Sequence, residues 1–153
     1  MIDSSKIKEE VWTLFKDLIK NNVTSVTIQG SGGANTKIVT IQNVSSSFPD
    51  ELFDSKTNYP MIVVNSPDFN SSPVTYRDRE LSGTIEFEVF SNQSESADKI
   101  LDKINDTIIT NESTLRTSGI EELEIDSNDS NHYDRNKISV HSRMVVWRYK
   151  VLI

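Results

Sequence analysis

The chain has 153 residues, with 16 basic and 23 acidic side chains and a net charge of −7 at neutral pH. This length fits one domain with its own hydrophobic core, and the acidic balance disfavours a general binder of nucleic acid or of anionic membranes. The absence of cysteine excludes disulfides, thiolate metal sites and a cysteine nucleophile. No apolar run approaches the length of a membrane span, so we expect a protein that acts in the cytoplasm where it is made, or in an assembly built there.

A helix followed by a β-hairpin is predicted for the first part of the chain. Apolar residues recur at helical spacing from Ile7 to Leu18, lysines and glutamates occupy the opposite face, and Asn21–Asn22 end the segment. The stretch VTSVTIQG-SGGANT-KIVTIQNV then predicts a hairpin, because β-branched runs flank a glycine-containing loop. After a polar stretch, YPMIVVN reads as a short buried strand.

A long loop is predicted over residues 66–80, SPDFNSSPVTYRDRE. This stretch is rich in Pro, Ser and Asn and has no hydrophobic periodicity. Loops of this length within compact domains are often functional. Tyr76, Arg77 and Arg79 are its candidate anchors for a neighbouring protein, because Tyr and Arg are frequent among binding hot spots.

The second half of the chain predicts a strand, a helix and a final hairpin. Apolar and polar residues alternate in GTIEFEVFS, and SNQSESADKILDKINDTIIT follows with one apolar helical stripe. Asn92 stands three residues before Glu95, as in a capping box. GIEELEID reads as a shorter strand, SNDSNHYD as a turn and the last segment as a long strand. The order of elements predicts one α+β domain over residues 1–153, a mainly antiparallel sheet with two helices packed on one face.

The last strand, KISVHSRMVVWRYKV, changes character along its odd-numbered positions. Its even positions from 138 to 146 are mostly apolar and are expected to face the core, because successive strand residues point to opposite faces. The odd positions are polar up to residue 143 and apolar afterwards. Either a bulge exchanges the faces, or both faces are covered at this end, by the rest of the chain or by a neighbouring subunit. In the last case the candidate interface residues are Arg143, Val145, Trp147 and Tyr149.

Both histidines of the chain lie in one stretch with Asp134, a combination that raises the question of metal or acid–base chemistry. We expect His132 in the turn and His141 on the solvated face of the strand, and no third donor follows at the spacing of zinc ligands. Ser142 cannot join His141 in a catalytic triad, because adjacent strand residues point to opposite faces. The sequence therefore predicts no metal ligand and no triad here.

Paired carboxylates are a second possible catalytic signal. Glu86 and Glu88 share one face of the predicted strand, yet solvated strand faces commonly carry such acids. We predict that the protein is not an enzyme and has no catalytic residue, no metal and no cofactor. The alternative of a different class is a small metal-dependent hydrolase that uses Glu86, Glu88 and His141.

One order of segments resembles a known family. YPMIVV leads through a variable loop to LSGTIEFEVFSNQSESADKILDKINDTII, then to LRTSGIEELEI and the closing KISVHSRMVVWRYKV, over residues 58–151. This order, with a Ser/Asn-capped helix after a strand that ends in an aromatic residue, resembles small α+β proteins of tailed-phage necks and tail tips. It is most similar to the tail terminator, or tail-completion, proteins.

The resemblance implies a structural role in the virion. It implies a ring, typically a hexamer, that caps the tail tube and joins it to the head connector, without catalysis or cofactor. Other copies of the chain, the tail tube protein and connector or neck proteins are the implied partners, whereas no membrane and no sequence-specific nucleic acid is expected. Within the same class, a head-completion adaptor or minor tail protein is the alternative.

Overall fold

A computed structural model of the protein describes residues 6–29, 36–45, 59–70, 80–135 and 138–152. The helices in these ranges are α1 (Ile7–Asn22), α2 (Ser94–Thr110) and the short α3 (Glu112–Thr117). The first strands are β1 (Ser25–Gln29), β2 (Thr36–Thr40), β3 (Asn43–Ser45) and β4 (Met61–Val64). The later strands are β5 (Asp68–Asn70), β6 (Glu80–Ser91), β7 (Ile120–Arg135) and β8 (Ile138–Leu152). None of the described helices combines the length and the apolar character needed to cross a membrane.

Strand pairing confirms the predicted α+β class. In the described residues the central sheet has six strands in the order β3-β4-β6-β8-β7, with β5 paired to β6. The β3–β4 pair is parallel, and the other pairs of neighbouring strands among the described residues of this sheet are antiparallel. The hairpin β1–β2 forms a separate antiparallel sheet, as its β-branched runs predict.

The two predicted helices lie on one face of the central sheet, where their apolar stripes meet the inward residues of the strands. On α1 the buried residues are Val11, Phe15 and Ile19, four apart as a helical face requires. The Phe15 ring packs against Phe87 of β6 and Tyr149 of β8, with ring centroids 5.9 and 5.5 Å apart. The stripe of α2 joins the same cluster. Burial of this shared apolar surface is the main force that holds the helices on the sheet.

Two boundaries predicted from sequence are wrong. Residues 68–70 of the predicted loop form β5, which pairs with residues 82–84 of β6. The predicted turn SNDSNHYD is extended backbone, because β7 continues to Arg135 and stays in register with β8 as far as the Arg135–Ile138 pair. Backbone pairing with a long neighbour imposes this extended conformation on a stretch whose own residues favour a turn.

The small sheet is joined to α2 through side chains that bind the inner edge of β1. The Glu95 carboxylate accepts the Gln29 N–H at 3.0 Å, and Lys103 Nζ donates to the Ser25 carbonyl at 2.8 Å. Glu95 is therefore not the partner of Asn92 in a capping box, and no side chain caps the start of α2. An open groove of about 730 Å³ between β1 and α2 is lined by polar residues of both elements.

Candidate functional site

The late apolar residues of the last strand belong to the core of the chain. Val145, Trp147 and Tyr149 are 0, 3 and 0% exposed, and they lie opposite Phe87, Ile85 and Gly83 of β6. Facing pairs share one side of an antiparallel sheet, so these three side chains lie under the helices. The hypothesis that they form an interface between subunits is wrong, because the chain itself covers them.

The β6–β8 register is continuous, so no shift between these two strands exchanges the faces of β8. The even-numbered positions were expected to face the core, but Met144 and Val146 are only partly buried and Arg148 is exposed. At this end the chain fully covers the odd-numbered face alone, so the prediction for the even positions is wrong here.

Arg143 lies at the boundary of the region that the helices cover. Its Nε donates to Asp98 Oδ1 of α2 at 2.6 Å, and its Nη1 donates to the Ser142 carbonyl at 3.0 Å. The Arg143 side chain is only 18% exposed, whereas Asp98 is 60% exposed. Arg143 thus binds within the chain, and a contact with a neighbouring subunit stays a prediction. The loop anchors Tyr76, Arg77 and Arg79 lie outside the described residues.

The two predicted carboxylates are held on the face of the sheet away from the helices. Ser142 Oγ donates to Glu88 Oε2 at 2.9 Å, and Asn65 Nδ2 donates to Glu86 Oε1 at 3.0 Å. Burial raises the pKa of the Glu88 carboxyl above its ordinary value of 4.5. The hydrogen bond from Ser142 lowers this pKa, whereas the negative charges of Glu86 and Asp129 raise it further. The protein therefore places a partly buried acid beside two other acids.

The residues of the alternative hydrolase do not converge. Glu86 and Glu88 lie opposite the even-numbered residues 146 and 144 of β8, whereas His141 lies opposite Ser91 on the helix side. Strand alternation therefore puts the histidine and the two glutamates on opposite faces of one sheet. A single substrate could not contact all three side chains without crossing the sheet.

The two histidines are direct neighbours, contrary to the prediction that placed them in a turn and a strand. His132 of β7 lies opposite His141 of β8, with ring centroids 4.6 Å apart and planes 32° from parallel. His132 Nε2 and Ser139 Oγ also share a hydrogen bond. Within the described residues no three His, Cys, Asp or Glu side chains gather as a metal site would require. Asp134 stands opposite Ser139 in the register.

The most exposed strand of the sheet is β7. The sequence predicted a strand only up to Asp126, whereas β7 continues to Arg135. All nine side chains from Glu124 to His132 are exposed, on both faces of the sheet. Most strands in globular proteins bury at least one face. Neither hydrophobic alternation nor a continuous apolar run marks this stretch, so the residues gave no periodic signal from which the strand could have been found.

The first half of β7 makes ion pairs with β8 and contains two shifts of register. Arg148 of β8 pairs with Glu124 and, at 3.5 Å, with Asp126, while Lys150 Nζ lies 2.9 Å from Glu122 Oε2. The register with β8 shifts between Glu121 and Glu124 and again between residues 125 and 127. Glu122 has a positive φ of 51°. Bulges of this kind increase local twist and are a common feature of edge strands.

The second half of β7 is regular and presents its outer edge. Within the described part of the chain, no strand pairs with that edge. The Ser130 N–H donates to Asp129 Oδ1 at 2.8 Å, so this amide points away from β8. Because backbone groups alternate in direction along an antiparallel strand, the backbone N–H and C=O of Asn128 point the same way. The exposed surface formed by residues 124–132 and the outer edge of β7 is named here the β7 edge.

Neither the models of known protein families nor the curated proteins contain a match to this chain.

Proposed function

We propose that the protein is a structural virion protein of a tailed phage, whose copies form a ring that caps the tail tube and joins it to the head connector. The resemblance in segment order over residues 58–151 suggests this role. The β7 edge is the observation that carries it, because a subunit in a ring needs a lateral surface, and the described residues leave this edge uncovered.

The β7 edge has the properties of a surface that is covered on assembly. An unpaired strand edge offers a row of N–H and C=O groups to another chain. The exposed faces of residues 124–132 add contact area on both sides of that row. Backbone pairing with β8 holds the strand extended before any partner arrives, and ion pairs to Arg148 add to it. Association would bury backbone groups in hydrogen bonds with a neighbour and would cover side chains now in water.

A second contact, along the axis of the ring, is proposed for the loop that carries Tyr76, Arg77 and Arg79. The described residues on either side of this loop pair at one end of the sheet, Asn70 with Ser82 and Glu80 with Leu152. The Arg135–Ile138 pair of β7 and β8 lies at the other end. Tyr76, Arg77 and Arg79 themselves lie outside the described residues, and their contact with a neighbouring ring is proposed from these flanking positions, while the β7 edge is proposed for contacts with copies at the side.

The mass of the complex tests the ring. Native mass spectrometry and light scattering of the purified chain over a wide concentration range, and mass analysis of assembled particles, should show one defined oligomer. A strict monomer in both settings would falsify the ring.

Replacement of the three loop anchors by Ala tests the axial contact separately. The triple variant should keep the folded state and the lateral ring but should fail to join tail tubes to head connectors in an assembly reaction. Normal joining by the triple variant would show that this loop is only a connector.

A further inference from the structure

A second unpaired strand edge lies on β2. The Ile41 N–H donates to the Thr24 carbonyl at 2.9 Å, and the β1–β2 register continues with Val26 opposite Val39. Alternation along the hairpin directs the backbone groups of Val39 towards β1 and those of Ile38 away from it. Among the described residues, no strand pairs with this outer side of β2. The Ile38 side chain is 69% exposed, an unusual degree for a large apolar residue.

The two edges belong to different sheets of the chain. Only two residues separate β2 from β3, which is the first strand of the central sheet. By contrast, β7 is the last strand at the opposite edge of that sheet. A copy that used both edges would therefore contact two neighbours, one at each edge.

Charge makes the edges complementary to each other and not to themselves. Residues 120–132 contain five acids and neither lysine nor arginine, and Arg148 and Lys150 of β8 pair with three of these acids. By contrast, β2 contains Lys37 and no acid. Pairing of β7 with β7 would bring like charges together across two strands, which is destabilising. Pairing of β2 with β7 brings the lysine to an acidic strand, and each strand offers one exposed isoleucine, Ile38 at 69% and Ile125 at 43%. Complementary charge selects the partner and orientation more than it supplies affinity.

We propose that the outer edge of β2 in one copy pairs with the β7 edge of the next copy, so that the sheets of neighbouring subunits join. This inference rests on the proposed function and names its lateral contact. Unlike surfaces that pair head to tail generate a closed ring when the rotation between copies closes. The β7 edge meets its partner through backbone hydrogen bonds at residues such as Asn128 and Ser130.

Disulfide trapping tests the contact directly, because the chain has no cysteine of its own. A set of double variants combines Ile38→Cys with one cysteine at each position from 126 to 130. Under mild oxidation, at least one of these variants should give a ladder of covalent oligomers that dithiothreitol reverses, since a disulfide requires Cα atoms within about 7 Å.

Two control variants test whether the crosslinks are specific to the proposed pair of edges. The single variant Ile38→Cys should stay uncrosslinked, and a covalent dimer from it would indicate a symmetric contact and overturn the proposal. The matched double variant Ile109→Cys with Asn128→Cys places one cysteine on α2, at a side chain that is 56% exposed and belongs to neither edge. It should give no ladder, and a ladder equal to that of the Ile38 variants would also overturn the proposal.

Proline substitution provides an independent test of the same backbone contact. Asn128→Pro removes an N–H that points away from β8, so the β7–β8 ladder keeps its hydrogen bonds, and Pro is tolerated on edge strands for this reason. Asn128→Ala is the matched control, because it changes the same side chain and keeps the N–H. Circular dichroism should show both variants folded. Asn128→Pro should raise the Kd of association at least about tenfold relative to Asn128→Ala.

The outcomes separate this inference from the proposed function. A wild-type ring without Ile38 crosslinks, and unchanged in Asn128→Pro, would contradict the pairing of these edges and leave the ring standing. A wild-type protein that is monomeric at every concentration and in particles would overturn both.

Discussion

The indole Nε1 of Trp147 donates a hydrogen bond to Asn105 Oδ1 at 3.0 Å, joining β8 to α2. The Trp147 side chain is 3% exposed and faces Ile85 across the sheet. Together with the Trp12 Nε1 donation to the Val64 carbonyl at 2.9 Å, this bond ties each main helix to the sheet through an indole. Apolar packing alone does not fix the orientation of a helix, because the hydrophobic effect is not directional. Hydrogen bonds have a preferred geometry, so these two bonds restrict the orientation of each helix on the sheet.

Replacement of Trp147 should therefore lower folding stability and not association. Trp147→Ala should cost about 3–5 kcal/mol by leaving a cavity, and Trp147→Phe should cost less, because it keeps an aromatic ring and loses the bond to Asn105. Urea denaturation gives both values. A Trp147→Ala protein that is as stable as wild type but fails to associate would restore this residue to the interface.

Gly83 is predicted to tolerate no side chain. A Cβ at this position would lie 2.9 Å from ring atoms of Phe69 and 3.0 Å from Cε2 of Tyr149. Gly83→Ala should destabilise the fold by about 1–3 kcal/mol, because the crowded rings must move. Ser82→Ala is the control, since this adjacent residue points to the other face. Equal thermal stability of Gly83→Ala and Ser82→Ala would show that the rings can shift at little cost.

The Tyr149 hydroxyl is buried and has no hydrogen-bond partner among the described residues. Burial, with a smaller contribution from Asp68, raises the pKa of this hydroxyl. Tyr149→Phe removes the unpaired polar atom and keeps the ring contacts to Phe15 and Phe69. The variant should therefore be as stable as wild type, or more stable by up to about 1 kcal/mol. A clear loss of stability in calorimetry would instead indicate a bonded hydroxyl.

The raised pKa of Glu88 predicts a pH-dependent stability difference. The folded protein holds the proton of the Glu88 carboxyl more tightly than the unfolded chain does. The protonated carboxyl therefore contributes its full stabilisation of the fold below the ordinary pKa of 4.5, and this stabilisation is lost as the pH rises through the raised pKa. Glu88→Gln carries no charge and should be more stable than wild type at pH 7, by less than about 1 kcal/mol because the carboxyl is partly exposed. Urea titrations should show this advantage vanish towards pH 4. A difference that does not change with pH would contradict the assignment.

The histidine pair is predicted to bind no metal and to do no chemistry, although its rings are in contact. His132→Ala combined with His141→Ala should cost at most about 1 kcal/mol, the usual size of a cross-strand pair, and should leave assembly intact. Elemental analysis of purified protein provides the decisive measurement. Stoichiometric zinc or another transition metal in the wild type, absent from the double variant, would revive the hydrolase.

Local periodicity predicted the elements that bury one regular face. The apolar stripes of α1 and α2 and the alternation in β6 follow from the period of a helix or a strand, and each appears in the structure where it was predicted. The alternation of side chains along a strand also allowed one candidate catalytic group to be excluded from sequence. His141 and Ser142 are adjacent in a strand, so their side chains point to opposite faces.

Contacts between distant segments decided the rest. The sequence by itself determined that residues 145, 147 and 149 were apolar on one face, but only the packing of α1 and α2 decided that the chain covers that face. The polar residues of β7 favour a turn, and their pairing with the long β8 holds them extended and sets His132 beside His141. The β7 edge exists for the same physical reason. Backbone hydrogen bonds can hold a stretch of strand whose side chains are exposed, as those of residues 124–132 are, and no periodicity in the sequence records these bonds.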